Sequence, residues 1–428
     1  MGTWLVIGGI VAMTGWGFRH IGHDAQAASP SQGPAAPAHG ARPVLRMTGA
    51  MARGQQPIHL DADMARRALR DGVLEVVLPD GTAYRVQMER QETHGGGHWS
   101  VVGRVSTAMG SQSMVLTFGP NAVFGMLPMP DGHALQVETH EGGLVTIAPA
   151  GGLTPQRKAL PRDNSDYRVP EVETQMGPNG TMLADRPMRI GGDDFDATKT
   201  TRIDVLALYS PELVALRGGR TIAETEVASR FAIANQAFID SGTQVRLHLA
   251  GIHETATPAT LPNGELLELI TADEKLATLR DAHAADLVAY FRPASKDDAT
   301  CGASWLNGAG LAGVAGIDQA HAFVIANVSP CGPHVLAHEI GHVLGAVHDR
   351  ASQTDADGNV AYGAYAYAFG YRTKQFGTIM ADPGRAPWIG RFSNPRKADC
   401  NGARCGVDDE ADDARSLDLM APGIAEFR

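Results

Sequence analysis

The sequence is poor in cysteine and in positive charge. Four cysteines in 428 residues are too few for a fold held together mainly by disulfides. The 47 acidic residues outnumber the 36 basic ones, and the net charge of −11 argues against nucleic acid or an anionic membrane as the main partner. Hydrophobic residues make up 43% and charged residues 19%, which excludes wholesale disorder and indicates a globular protein with a large core.

An uncharged, mostly apolar segment covers residues 3–18 and is shorter than the roughly 20 residues that a membrane-spanning helix needs. Small residues at Ala25 and Ala27 follow it, so we expect a signal peptide over residues 1–27 and a secreted protein. No lysine or arginine precedes the apolar segment, so an uncleaved membrane anchor and an ordinary buried segment are the alternatives. Residues 28–42 are rich in Ala, Pro, Ser and Gly, which is typical of a linker.

The remaining chain divides into three regions of different pattern. Residues 43–150 hold short β-strand patterns separated by turns, such as the hairpin signal over 73–86, and predict a small antiparallel β-rich domain. Residues 151–200 have little periodic pattern and predict an exposed connector. From residue 201 to 428, apolar strands alternate with helices, which predicts an α/β domain.

A histidine motif in the α/β region predicts a metal site. His338 and His342 are four residues apart, so on a helix both side chains point from the same face. Glu339 lies beside them, and Gly345 allows the chain to turn so that His348 returns as a third ligand. Three imidazoles leave one position of a zinc ion open, which is typical of a catalytic rather than a structural site.

A methionine downstream strengthens the prediction. Met380 lies in residues 377–381, and a methionine turn beneath a three-histidine site is the other half of the same signature. Together these motifs resemble the metzincin superfamily of zinc endopeptidases. Because Asp349 follows the third histidine, the chain resembles the reprolysin-like branch. The segments 301–306, 337–342, 378–381 and 392–395 are most similar to bacterial secreted peptidyl-Asp metallopeptidases.

The resemblance implies a metzincin-type domain, with a mixed sheet and a long active-site helix, that binds protein or peptide substrates in extended form. Glu339 would act as general base toward a zinc-activated water, and Asp349 would orient His348 or a nearby backbone group. In the family, an antiparallel strand at the edge of the sheet pairs with the extended substrate. Residues 313–328 occupy the matching place in this sequence and are therefore the predicted edge strand. The peptidyl-Asp resemblance further implies cleavage near acidic residues, which Arg385 or Arg372 would recognise.

The same resemblance makes the β-rich region a propeptide by position, and so an intramolecular inhibitor. No cysteine precedes Cys301, so this region has no cysteine that could bind the zinc and block it. The acidic residues at 192–196 are predicted to take that role, and the alternative is that they form only a charged linker. In an oxidising compartment we expect the pairs Cys301–Cys331 and Cys400–Cys405, although four cysteines allow three connectivities. Residues 355–359 resemble part of a calcium loop but lack its distal glutamate, which favours a surface turn.

We therefore expect a secreted zinc endopeptidase made as a zymogen. A membrane-anchored processing protease is the alternative if the N-terminal segment is not cleaved. A non-catalytic protein-binding module on the same fold is a further alternative, and the presence of Glu339 argues against it.

Overall fold

The computed structural model describes residues 45–47, 55–60, 62–77, 83–151, 166–170, 199–257, 260–381 and 386–428. These ranges form one sheet of nine strands and one of six. The predicted signal peptide, the linker and most of the connector lie outside the described residues. Within the described ranges, no helix combines the length and the apolar character needed to cross a bilayer.

The first sheet is antiparallel, and its last seven strands follow one another in chain order. Its strands are β1 (Leu45–Met47), β2 (Gln56–Leu60), β3 (Val73–Val77), β4 (Ala83–Thr93), β5 (Trp99–Thr107), β6 (Gly110–Phe118), β7 (Val123–Pro128), β8 (Ala134–Thr139) and β9 (Val145–Pro149). The spatial order is β1-β2-β9-β8-β7-β6-β5-β4-β3. The hairpin signal corresponds to β3 and β4, which pair antiparallel. Helix α1 (Ala62–Asp71) packs on the core of this sheet.

The second sheet is mixed, as the metzincin resemblance implies. Its strands are β10 (Tyr167–Arg168), β11 (Thr201–Tyr209), β12 (Val245–Glu254), β13 (Leu287–Arg292), β14 (Gly302–Trp305) and β15 (Phe323–Asn327), in the order β10-β14-β15-β13-β11-β12. The pair β14–β15 is antiparallel and the other pairs are parallel. The helices of this region are α2 (Pro211–Arg217), α3 (Arg220–Ser241), α4 (Asn263–Thr271), α5 (Glu274–Ala282), α6 (Val335–Val343) and α7 (Asp413–Ile424).

Helix α3 lies between the two sheets. Its Ile233 packs against Val102 and Val115 of the first sheet, and its Phe231 and Phe238 belong to the core of the second. Ion pairs border the contact: the side chain of Arg104 lies 2.9 Å from Asp240, and that of Arg217 lies 3.0 Å from Glu138. Since α3 is buried on both sides, its apolar residues do not form a single stripe.

The prediction that residues 313–328 form the edge strand is wrong. Residues 323–327 form β15, which is an inner strand between β13 and β14, and residues 313–321 contain two short 3₁₀ turns. Every residue of β15 is buried, as expected for an inner strand. If β10 is set aside, β14 is the edge strand of this sheet. It has only four residues, which are too few for an alternating apolar pattern to be recognised in the sequence. The disulfides Cys301–Cys331 and Cys400–Cys405 are those predicted.

Candidate metal centre

Three histidines point their Nε2 atoms at one place. His338 and His342 lie one turn apart on α6, and His348 lies in the loop that follows. The Nε2 atom of His338 is 3.2 Å from that of His342 and 3.3 Å from that of His348. Burial lowers the pKa of His342 to about 4, so its ring is neutral at neutral pH, which is the form that binds a metal ion.

Helix α6 is shorter than the long active-site helix that the sequence suggests. It spans nine residues and ends because the chain turns at Gly345, which has a φ of 79°. The Gly345 amide donates to the carbonyl of His342, and the Ala346 amide donates to that of Gly341. A Cβ atom on Gly345 would lie 2.3 Å from the Cβ of Ala364. This turn returns His348 to the histidines on α6.

Substituting Gly345 should therefore destabilise the centre. We expect Gly345→Ala to lower the free energy of unfolding by about 2–5 kcal/mol, because the left-handed backbone costs about 1–2 kcal/mol and the overlap with Ala364 adds about 1–3. Urea unfolding measures the loss. Gly358→Ala is the matched control, since Gly358 also has a positive φ but an added Cβ atom would meet nothing within 4 Å. Equal losses in both variants would show that packing around Gly345 is unimportant.

The Nδ1 atom of each histidine has its own partner. That of His338 lies 2.9 Å from the Ile379 carbonyl oxygen, and that of His342 lies 2.8 Å from the Ala346 carbonyl oxygen. A carbonyl accepts only from a protonated nitrogen, so the Nε2 lone pairs of these two rings face the centre. The Nδ1 atom of His348 lies 3.2 Å from the side-chain amide nitrogen of Gln353. Gln353 is a loop residue that the sequence analysis missed.

A carboxylate from outside the α/β region completes the group. Asp166, just before β10, places its oxygens 3.1 Å from Nε2 of His338, 3.2 Å from that of His342 and 2.9 Å from that of His348. The side chain is buried. Burial alone would raise its pKa, but the positive charges of His348 and His338, when those rings are protonated, hold the pKa well below its usual value. No motif in the sequence pointed to Asp166.

The four side chains are close enough to share one metal ion. Their donor atoms lie within 4.8 Å of one another. A zinc ion with bonds of about 2.0–2.1 Å has ligand atoms about 3.3 Å apart, close to the 3.2 and 3.3 Å between the imidazole nitrogens. Oδ1 of Asp166, the oxygen 2.9 Å from Nε2 of His348, is buried and receives no hydrogen bond of acceptable geometry, as expected for an atom that faces a cation. The centre could thus hold a metal ion on three histidines and one aspartate.

Glu339 lies beside this group and faces β14. Its Oε2 accepts a hydrogen bond of 2.8 Å from the Ser304 hydroxyl. A Cβ atom at Gly302 would lie 2.2 Å from Oε1 of Glu339, so the strand can approach the carboxylate only with glycine there. Burial, reinforced by the charge of Asp166, raises the pKa of Glu339 well above its usual value, although the Ser304 hydrogen bond acts in the opposite direction.

Met380 lies beneath the helix that carries the histidines. It is fully buried, and a Cβ atom at Gly341 would lie 2.7 Å from its sulfur. The preceding residue, Ile379, supplies the carbonyl that meets Nδ1 of His338. This turn therefore supports α6 from below and orients one histidine directly.

Asp349 bonds to the backbone rather than to a histidine. Its carboxylate accepts from the backbone N–H and the hydroxyl of Ser352, at 3.3 and 2.7 Å, and Nε of Arg372 lies 3.0 Å away. The side chain thus closes the turn after His348, while Gln353 contacts the ring. Arg372, one of the two arginines predicted to recognise acidic substrates, is already paired with a carboxylate.

Two further predictions fall on residues that the structure does not describe, and a third forms a turn at the surface. Arg385 and the acidic residues 192–196 lie outside the described residues. In the calcium-like segment, the Asp355 carboxylate accepts hydrogen bonds of 2.8–2.9 Å from Asp357 and Asn359. Those bonds close a surface turn.

Comparison with known proteins gives one family. Residues 198–411 match the family described as "Metallo-peptidase family M12B Reprolysin-like". The chain is similar to three proteins named "Peptidyl-Asp metalloendopeptidase". That of Pseudomonas aeruginosa is 31% identical over 53% of this chain and 40% of its own length. That of Stenotrophomonas maltophilia is 28% identical over 67% and 66%, and that of Xanthomonas campestris pv. campestris is 30% identical over 53% and 52%. The chain therefore spans less than two thirds of each relative.

Proposed function

Because this chain belongs to the reprolysin-like metallopeptidase family M12B, we propose that it is a zinc endopeptidase made in a latent form. The observation that carries the proposal is the convergence of three histidine Nε2 atoms beside a buried glutamate. His338, His342 and His348 would hold the ion. When bound, zinc would lower the pKa of a water molecule and polarise a peptide carbonyl.

Glu339 would carry the proton. Next to His338 and buried, it would take a proton from the attacking water and deliver it to the leaving amine. The hydroxyl of Ser304 would hold the carboxylate toward the reacting groups.

Asp166 would keep the enzyme latent. Its carboxylate lies where the fourth ligand of a catalytic zinc would be a water molecule. The residues after it form β10, which pairs with β14. Since β14 is otherwise the edge of the sheet, an extended substrate would pair with it in the same place. The region before residue 201 would therefore be a propeptide that blocks both the ion and the substrate edge, and its aspartate would be Asp166 instead of one at 192–196.

Secretion and substrate preference extend the proposal. Two disulfides join all four cysteines, as suits a protein that matures in an oxidising compartment. The relatives are named for cleavage at aspartate, and we infer a preference for acidic substrates here as well. Because Arg372 is paired with Asp349, it would have to exchange that partner to bind a substrate carboxylate.

Metal exchange tests the proposal. The full-length chain, activated by limited proteolysis within residues 171–198, should cleave a denatured protein. A chelator should reduce cleavage at least about 100-fold, because the ion generates the nucleophile, and one equivalent of zinc should restore it. Calcium alone is the control and should restore nothing. Cleavage that persists in the chelator would overturn the zinc mechanism. Sequencing the products would show whether acidic residues flank the cut.

A further inference from the structure

Tyr167 fills a pocket next to the metal centre. Its ring lies 4.9 Å from the ring of His342, measured between centroids, and packs against a cluster formed by Leu306, Val347 and Phe369. Its hydroxyl lies 2.7 Å from the side-chain amide of Gln353. The pocket therefore has apolar walls and a polar end.

The walls of this pocket belong to the α/β region. Leu306, Val347 and Phe369 are buried in one cluster. The backbone of Gln353 donates to the Asp349 carbonyl and accepts from the Ala361 amide. The pocket should therefore persist when the segment 166–170 leaves.

The segment 166–170 is bound in the manner of an extended peptide. The Ser304 amide donates to the Asp166 carbonyl at 3.0 Å, and the Leu306 amide donates to the Arg168 carbonyl at 2.8 Å. Main-chain bonds of this kind give affinity, and pockets for single side chains give selectivity. Tyr167 therefore marks a side-chain pocket on the strand to which substrate would bind.

Resting on the proposed function, we propose that this pocket is a substrate subsite selective for tyrosine, with Gln353 as the residue that recognises the phenol hydroxyl. Gln353 also touches the metal centre, since its amide lies 3.2 Å from Nδ1 of His348. A half-turn of the amide would present its oxygen to the Nδ1–H of the metal-bound histidine and its NH₂ to the tyrosine oxygen. Occupation of the subsite would thereby fix the third histidine.

A series of peptides tests this subsite on the activated protein. The peptides share one scissile bond and carry Ala, Phe or Tyr at one position at a time on either side of it, and kcat/KM is measured for each. At one position, kcat/KM should rise about 10-fold or more from Ala to Phe, because an aromatic ring is buried. It should rise a further 3- to 10-fold from Phe to Tyr, because the hydroxyl gains a hydrogen bond. In Gln353→Met the Tyr/Phe ratio should fall to about one, while Phe stays preferred to Ala.

Ratios of kcat/KM between peptides, taken within one variant, separate a change in selectivity from a loss of fold or metal. Loss of fold or metal would lower kcat/KM for all peptides by the same factor. Gln244→Met is the matched control, because Gln244 precedes β12 at the opposite edge of the sheet and should leave both ratios unchanged. A Tyr/Phe ratio that is unaltered in Gln353→Met, or the absence of any position with an aromatic preference, would overturn the subsite. Absence of cleavage of every peptide would instead count against the proposed function.

Discussion

Full-length Asp166→Ala should hydrolyse a protein substrate at least about 100-fold faster than the full-length wild type, before any processing. Asp166 contacts the three histidine nitrogens at 2.9–3.2 Å. The loss of one charged contact to the ion, worth about 3 kcal/mol, corresponds to roughly that factor. The effect is large because an inhibitor on the same chain acts at an effective concentration near the millimolar range. Initial rates of a quenched peptide, measured while gels still show the intact chain, give the result.

Two further variants make the Asp166 result decisive. Asp131→Ala, in an exposed turn of the first sheet, should stay latent. The double variant Asp166→Ala, Glu339→Gln cannot digest itself, so its unfolding transition reports whether the substitution left the fold intact. If Asp166→Ala were folded and as inactive as wild type, the propeptide would block the site by another contact, and the ion pairs between Arg104 and Asp240 and between Arg217 and Glu138 would be the next to change.

The sequence predicted those parts of the centre whose geometry is local. His338 and His342 share a helical face because of the helix period, and a glycine soon afterwards allows a third histidine to return. These relations need no knowledge of the rest of the chain. The alternation of strands and helices after residue 201 likewise predicted an α/β domain, because most of its apolar patterns are long enough to be recognised by themselves.

The parts that the sequence did not predict depend on contacts between distant segments. Asp166 is 172 positions from His338, and neither its neighbours nor its spacing distinguishes it from other aspartates. Ser304 meets Glu339 only because a short strand passes beside α6, and Gln353 meets His348 through a loop. The prediction for residues 192–196 followed local charge and stays untested, since they lie outside the described residues; tertiary contacts bring Asp166 to the histidines.

The short length of β14 explains the error about the sheet edge. A periodic pattern needs several residues, and β14 has four. Residues 323–327 gave a stronger apolar signal because an inner strand is buried on both faces. The strand with the stronger of these two patterns was therefore the less suitable for binding a peptide, since both of its edges are already paired.

Glu339→Gln should reduce kcat of the activated protein by about 10²–10⁴-fold, the range expected when a general base is lost. The substitution keeps the size of the side chain and its ability to accept from Ser304, but glutamine cannot take up a proton. Because the three histidines are untouched, zinc bound per chain should stay near that of wild type, as metal analysis after dialysis would measure. A fall in kcat without a loss of zinc separates proton transfer from metal binding.

The control for Glu339→Gln is Glu274→Gln, on the exposed first turn of α5, which should keep full activity. Self-processing gives a second readout, because full-length Asp166→Ala should cut its own chain, whereas the double variant with Glu339→Gln should stay intact. Retained kcat in Glu339→Gln would assign the proton transfer to another group. The other buried carboxylate at the centre is Asp166, which would leave with the proposed propeptide. Among the described residues that contact the histidines, no second carboxylate would then remain to replace Glu339.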